Sequence, residues 1–193
     1  MLYVLINYLL GSIPFGFLLV KIFQKSDIRE IGSKNIGATN VMRTGSKILA
    51  LFTFLLDAIK GTLAAYISTK YLYDNQALFS ISIIAVIIGH MFPVWLKFKG
   101  GKGISTNFGV MLYLSPFVFL ISLLTWLGIF KFTKISSISG LSAMTISSII
   151  VGINLFPNYS HLFQSYLVIS LLIIFKHKEN IIRLTNGNEK SFK

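Results

Sequence analysis

Three short polar stretches hold most of the residues in this chain that can do chemistry on an anion. The first runs Gly32-Ser33-Lys34-Asn35-Ile36-Gly37-Ala38-Thr39-Asn40-Val41-Met42-Arg43. It is rich in small hydrogen-bonding side chains, Ser33 and Asn40 among them. It ends on Arg43, whose planar fork matches a phosphate in bidentate fashion. The second is Lys97-Phe98-Lys99-Gly100-Gly101-Lys102-Gly103. Successive glycines let consecutive backbone N–H groups turn toward one anion, and Lys102 adds a point charge. A helix predicted from Ile104 adds its dipole and its unpaired first-turn N–H groups. This is not a Walker A loop, because Gly103 follows Gly101-Lys102 where Ser or Thr is needed and the upstream glycine is missing. The third is His177-Lys178-Glu179-Asn180. His177 and Asn180 are three apart and share a face if the helix continues. A histidine there can orient a hydroxyl or take its proton, and an asparagine can donate to a developing oxyanion. Taken singly, these stretches also read as a polar loop, a flexible basic turn and a helix-end histidine complementing the dipole.

The elements that must position them are membrane helices. The chain has 193 residues, 54% of them hydrophobic and only 12% charged, and a mean hydropathy of +0.74. One soluble domain of that length could not bury so much apolar side chain. That excludes soluble cytoplasmic, disordered and secreted classes. The absence of cysteine excludes a disulfide framework, a thiolate zinc site, an iron–sulfur cluster and a cysteine nucleophile. Eighteen Lys and Arg against six Asp and Glu leave a formal charge of +12. In a membrane protein such an excess marks cytoplasmic loops beside anionic lipid, or a site for an anionic substrate. No nucleic-acid partner is expected. With three histidines and six acidic residues lacking ligand spacing, neither a metal nor a cofactor is expected.

Apolar runs of spanning length occur at Leu2 to Phe23, Ile48 to Leu72 and Ala77 to Leu96, then at Ser139 to Phe156 and His161 to Phe175. Gly11-Ser12-Ile13-Pro14 should kink the first. That run has no positive region ahead of it and no small-residue cleavage site, while Lys21 and Lys25 follow it. It therefore reads as a retained span with the N-terminus outside. The stretch Ile104 to Phe130 is decided by charge. A single crossing leaves the basic tail outside; two crossings, turning near Ser115-Pro116, put sixteen of the eighteen basic residues inside. Lys70 is then outside and Lys60 lies within the second span. The expected fold is an all-α integral membrane protein of seven transmembrane helices, N-terminus outside and C-terminus cytoplasmic. The two short helices imply local thinning or shielding. One domain is expected over 1–193, with its polar segments 24–47, 98–106, 131–138 and 176–187 all on the cytoplasmic face, as a single assembled site would require. No internal duplication of the transporter kind is visible.

Asp57 and Lys60 sit at i, i+3 within the second span, where ionisable groups are costly and usually paired or functional; a structural role is expected. His90, before Phe92-Pro93, reads as a packing histidine, and His161 as an ordinary residue by an outer loop.

One ordered series remains. Gly11-Ser12-Ile13-Pro14-Phe15-Gly16, Asn35 to Arg43, Asp57-Ala58-Ile59-Lys60-Gly61, Gly89-His90-Met91-Phe92-Pro93, Phe98 to Gly103 and His177 to Asn180 together closely resemble the PlsY family. These are the bacterial acyl-phosphate:glycerol-3-phosphate acyltransferases of the plasma membrane, and the likeness runs from Gly11 to about Gly187. The resemblance implies acyl transfer from an acyl phosphate to glycerol 3-phosphate, giving lysophosphatidate and inorganic phosphate, on a seven-helix fold facing the cytoplasm. It places substrate contacts on Ser33 and Arg43, with Asn40 in the same run, and a phosphate loop on Gly100, Gly101 and Gly103 around Lys102. It places catalytic roles on His177 and Asn180, with Glu179 as support. A serine near the start of the sixth helix is also implied. Ser136, Ser137, Ser139 and Ser142 compete for it, with Ser137 favoured and Ser139 next. Lys34, Glu30 and Ser105 depart from the family's usual glycine, basic residue and alanine, which bears on affinity and loop geometry. The implied partners are the two substrates and membrane lipid; a monomer is compatible with them, and the oligomeric state is left open. The His-x-x-x-x-Asp motif of related acyl-CoA enzymes is absent, since Trp95, Tyr166 and Ile182 follow the three histidines at that spacing. An anion transporter would need mid-membrane polar groups with access from both sides. A bare scaffold would not need loops bearing arginine and glycine.

Overall fold

The computed structural model describes residues 1–155 and 160–192, with the side chains of 154–161 left aside; the side chain of His161, together with Phe156 and Lys193, therefore lies outside the described residues. Among the described residues every regular element is helical. Among the described residues five helices are long and apolar enough to cross a membrane: Leu2–Gln24, Lys47–Leu72, Gln76–Leu96, Pro116–Thr133 and Ser136–Ile153. Shorter apolar helices cover Ile104–Leu114 and Leu162–Lys176.

The chain divides into two compact units, Met1–Val110 and Met111–Lys193. In the first, the N-terminal span is broken as the Gly-Ser-Ile-Pro sequence predicts. Helix α1 (Leu2–Ser12) stops, and α2 (Phe15–Gln24) restarts after Pro14, because proline lacks an N–H and its ring clashes with the preceding turn. A short α3 (Ala38–Met42) then leads to α4 (Lys47–Leu72), capped by Ser46 Oγ accepting from Leu49 N at 3.2 Å. Helix α5 (Gln76–Met91) is capped by Asn75 Oδ1 accepting from Leu78 N at 3.0 Å.

Two close crossings hold this unit, both made through glycine. A β-carbon on Gly11 of α1 would overlap the Val86 carbonyl of α5, and one on Gly89 would overlap the Tyr8 carbonyl. Likewise Gly61 of α4 lies against the Thr106 carbonyl of α6 (Ile104–Leu114), and Gly109 against that of Ala58. In lipid there is no hydrophobic drive between helices, so close backbone approach and interhelical hydrogen bonds do the work. Asn7 supplies the latter: its buried amide donates to the Ala64 carbonyl (3.1 Å), Ser68 Oγ (3.0 Å) and Ser82 Oγ (2.7 Å), tying α1 to α4 and α5.

In the second unit, α7 (Pro116–Thr133) begins on a proline, where the missing N–H costs nothing. The chain is interrupted at Ser115 between α6 and α7, where a turn is expected. Helix α8 (Ser136–Leu155) meets α9 (Ser160–Lys176) through a 2.6 Å hydrogen bond between the Ser148 and Ser170 hydroxyls. The amphipathic α10 (Lys178–Thr185) follows, and the tail then returns to α7–α8: Phe192 N donates to the Lys134 carbonyl at 2.9 Å, and the Phe192 ring lies edge-on to Phe130.

Candidate active site

In the first unit, the run carrying Ser33 and Arg43 is built around Asn40. That side chain is buried. Its Nδ2 donates to the carbonyls of Ile28 (3.2 Å), Ile31 (2.9 Å) and Asn35 (2.8 Å), while Oδ1 accepts from Ser33 N at 2.8 Å. Asn40 thus spends its amide on shaping the loop. Gly32, at φ +56°, lies against the stem of Arg43, which follows α3 directly. A residue with a β-carbon would meet both strain and a clash there. At the loop's start Asp27 grips the Arg29 guanidinium, with Nε at 2.9 Å from Oδ1. That hydrogen bond holds the Asp27 carboxyl at about 2, well below the usual carboxylate range.

The glycine loop is held differently from the expectation that its glycine N–H groups all turn toward one anion. Gly100 N donates to the Met91 carbonyl (3.1 Å) and Gly101 N to that of His90 (2.9 Å). Both donors are consumed by the main chain at the end of α5. A β-carbon on Gly100 would overlap the His90 carbonyl and the Pro93 ring, and one on Gly101 would overlap the His90 ring. These two glycines therefore allow the loop to lie flat on residues 90–93. Gly103 has φ +91°, a conformation that favours glycine, and its carbonyl accepts from Asn107 N at 2.8 Å as α6 begins. The N–H groups of the first turn of α6, from Ile104, are the donors such an end presents to an anion. Lys102, half-buried, stands just before them.

Behind that loop lies the pair in the second span. Lys60 Nζ is 2.6 Å from Asp57 Oδ1, with the side chains 1% and 2% exposed. The same ammonium donates to the Ile13 carbonyl at 3.0 Å, at the break between α1 and α2, and lies 2.9 Å from His90 Nδ1.

In the second unit, His177 and Asn180 are both buried. His177 forms the joint between α9 and α10, and Ile181 N still bonds to its carbonyl at 2.9 Å, so the helical spacing of the pair survives. His177 Nδ1 lies 2.8 Å from the Ile173 carbonyl. A carbonyl only accepts, so Nδ1 carries a proton and donates to it. Asn180 Nδ2 donates to Glu189 Oε1 at 2.6 Å, and Ser137 Oγ donates to the same oxygen at 3.0 Å. Arg183 Nε donates to Glu189 Oε2 at 2.7 Å. Burial works against ionising Glu189, but these three donors outweigh it and hold the carboxyl below its ordinary value. Ser139 Oγ turns back to the Ile135 carbonyl at 2.9 Å, whereas Ser137 joins Asn180 through the shared carboxylate. The glutamate to which sequence reasoning gave the supporting role, Glu179, is 75% exposed and 3.9 Å from Arg183. Glu189 and Arg183 are the residues that reasoning missed. The signal was Gly187, whose φ of +69° closes α10 and turns the tail back.

Comparison with known proteins gives one family. The family model described as glycerol-3-phosphate acyltransferase matches residues 1–187. The glycerol-3-phosphate acyltransferase of Wolbachia sp. subsp. Brugia malayi is 42% identical over 187 residues, covering 97% of this chain and 95% of its own. That of Bartonella henselae is 45% identical over 188 residues, covering 96% and 88%. Among solved structures, PlsY (YgiH), an integral membrane glycerol 3-phosphate acyltransferase, is similar in its glycerol 3-phosphate form. The TM-score is 0.93 at 38% identity, over all of this chain and 94% of that one. Its lysophosphatidic acid form gives 0.90 at 37%. The helical fold, the multi-pass membrane character and these likenesses agree, and the chain belongs to the glycerol-3-phosphate acyltransferase family, as an integral membrane acyltransferase.

Proposed function

We propose that this enzyme transfers the acyl chain of an acyl phosphate to the 1-hydroxyl of glycerol 3-phosphate. Lysophosphatidate and inorganic phosphate are the products, in the first acylation of phospholipid synthesis. The observation that carries the reading is the glycine loop lying flat on residues 90–93, with Lys102 and the first turn of α6 beside it, an arrangement that suits a phosphate. The donor is already activated, because phosphate is a good leaving group, so direct attack needs no covalent nucleophile. The 1-hydroxyl oxygen bonds to the acyl carbon, the bond from that carbon to the phosphate oxygen breaks, and the phosphate departs. Ser33, Arg43 and Lys102 hold the two anions, with Asn40 acting through the loop it organises and Gly100, Gly101 and Gly103 through the shape they permit. Positioning of this kind is worth several kcal/mol. Asn180 and backbone N–H groups support the developing oxyanion, and Ser137 stands with Asn180, with Ser139 behind it. The hydroxyl proton passes to His177 Nε2, the ring nitrogen that the Ile173 carbonyl does not take. The leaving phosphate is the alternative acceptor, and the pH profile of His177→Gln separates the two.

The same proposal holds the whole chain to be one acyltransferase domain with seven spans, N-terminus outside, in the bacterial plasma membrane. Ser33, Arg43, Lys102, His177 and Asn180 then face the cytoplasm. The test is phosphate release by purified protein given palmitoyl phosphate and glycerol 3-phosphate, beside a reaction offered palmitoyl-CoA. Phosphate and lysophosphatidate from the acyl phosphate alone establish the donor. Product from palmitoyl-CoA, or from neither donor in folded protein, rejects it.

A further inference from the structure

Asp57, Lys60 and His90 have no part in the chemistry above, yet they stand directly behind the loop on which it depends. We infer that His90 is a positioning residue for the substrate phosphate: its carbonyl and ring shape the loop Gly100–Gly103, and the Asp57–Lys60 pair fixes the ring's tautomer. The inference rests on the acyltransferase reading, since it concerns the phosphate which that loop holds.

Three contacts carry it. Lys60 Nζ stands 2.6 Å from Asp57 Oδ1, 3.0 Å from the Ile13 carbonyl and 2.9 Å from His90 Nδ1, and Asp57 Oδ1 lies 3.5 Å from that same ring nitrogen. In this proposal the ammonium donates to Nδ1, which then carries no proton and leaves the ring's proton on Nε2. That edge is the one pressed against Gly101, where a β-carbon would overlap Nε2. The His90 main chain takes the Gly101 N–H at 2.9 Å. One residue therefore presents both a main-chain anchor and a ring edge of fixed protonation to the loop. A packing role alone would need neither the ion pair behind the ring nor its orientation.

His90→Asn keeps an acceptor near Nδ1 and loses the loop-facing edge; His90→Gln keeps a donor near Nε2. We expect His90→Asn to raise the KM of one anionic substrate at least tenfold, with kcat and the other KM changed less than threefold. His90→Gln should recover most of that loss. A merely structural role would lower Tm and the active fraction while leaving both KM values in place, and that result overturns the inference. Should the variants fail to fold, histidine 15N spectra of the wild-type protein decide, with the other two signals assigned through His161→Gln and His177→Gln. The expected signal is a neutral ring with its proton on Nε2, moved by inorganic phosphate. A proton on Nδ1, or a signal that saturating phosphate leaves unmoved, overturns it. Because inorganic phosphate is the probe, this arm reads the loop even if the acyl phosphate assay fails.

Discussion

Glu189 gathers three donors on one carboxylate, from Ser137, Asn180 and Arg183, and two of those donors are residues proposed to act on substrate. Hydrogen bonds to a charged group are worth about 1.5–3 kcal/mol each, so the tail's return depends on this group being ionised. Its folded value is depressed, and the sign follows. The stabilisation is fully present above the ordinary glutamate value of 4.5 and is lost as pH falls through the lower folded value. Limited proteolysis of the tail should therefore accelerate in acid below pH 4.5, and Glu189→Gln should make it fast at neutral pH and nearly independent of pH. A tail equally protected in that variant would show that the ring contact of Phe192 suffices. Glu189 was not legible in the sequence because its partners are 52, 9 and 6 residues away and one of two acids in a basic tail carries no periodic signal. Ser33, Arg43 and Lys102 stood out as candidates because glycines and a cation crowd into short runs.

In the first unit α1 meets α5, and α4 meets α6, through backbone contact at glycine. Gly109 lies on the Ala58 carbonyl, and Thr62 Oγ1 donates to the Gly109 carbonyl at 3.0 Å. Gly109→Ala must separate α4 from α6 and should destabilise the protein by about 1–3 kcal/mol, the usual range for overpacking. A melting temperature unchanged in Gly109→Ala would contradict the close crossing. The break at Pro14 is the other local device. It leaves the Ile13 carbonyl as an acceptor for Lys60, a common use of interrupted helices in membranes. Lys60→Met strands Asp57, 2% exposed, and should cost about 3–5 kcal/mol, whereas the paired change Asp57→Asn with Lys60→Met should cost less. Equal losses in the two variants would mean that the pair is not coupled. Positions of the helices were readable from apolar runs and from Gly11 to Pro14. The crossings were not, because a lone glycine in a helix does not say which backbone it meets.

At the scale of the whole molecule, the seven-span proposal depends on what Ile104 to Thr133 does. The chain is interrupted at Ser115, but α6 has only 11 residues, about 16 Å at 1.5 Å per residue, against a hydrocarbon core of roughly 30 Å. Length alone would make α6 a re-entrant segment. Charge argues otherwise: with two crossings, the lysines at 97–102, at 131 and 134 and in the tail all fall on one side, and the positive-inside rule rewards that arrangement. In the same arrangement Lys70 falls on the other side; it is exposed and over the rings of Tyr66 and Tyr71, as interfacial aromatics and a snorkelling cation would be. The chain contains no cysteine, so single replacements report cleanly. In intact cells an impermeant maleimide should label Lys70→Cys and spare Lys99→Cys and Lys190→Cys, both of which should react once the membrane is opened. Labelling of Lys190→Cys from outside, with Lys99→Cys still protected, would mean that Ile104 to Thr133 crosses only once. The proposed His177 and Asn180 would then face away from a cytoplasmic glycerol 3-phosphate, and the catalytic assignment would fall with the topology.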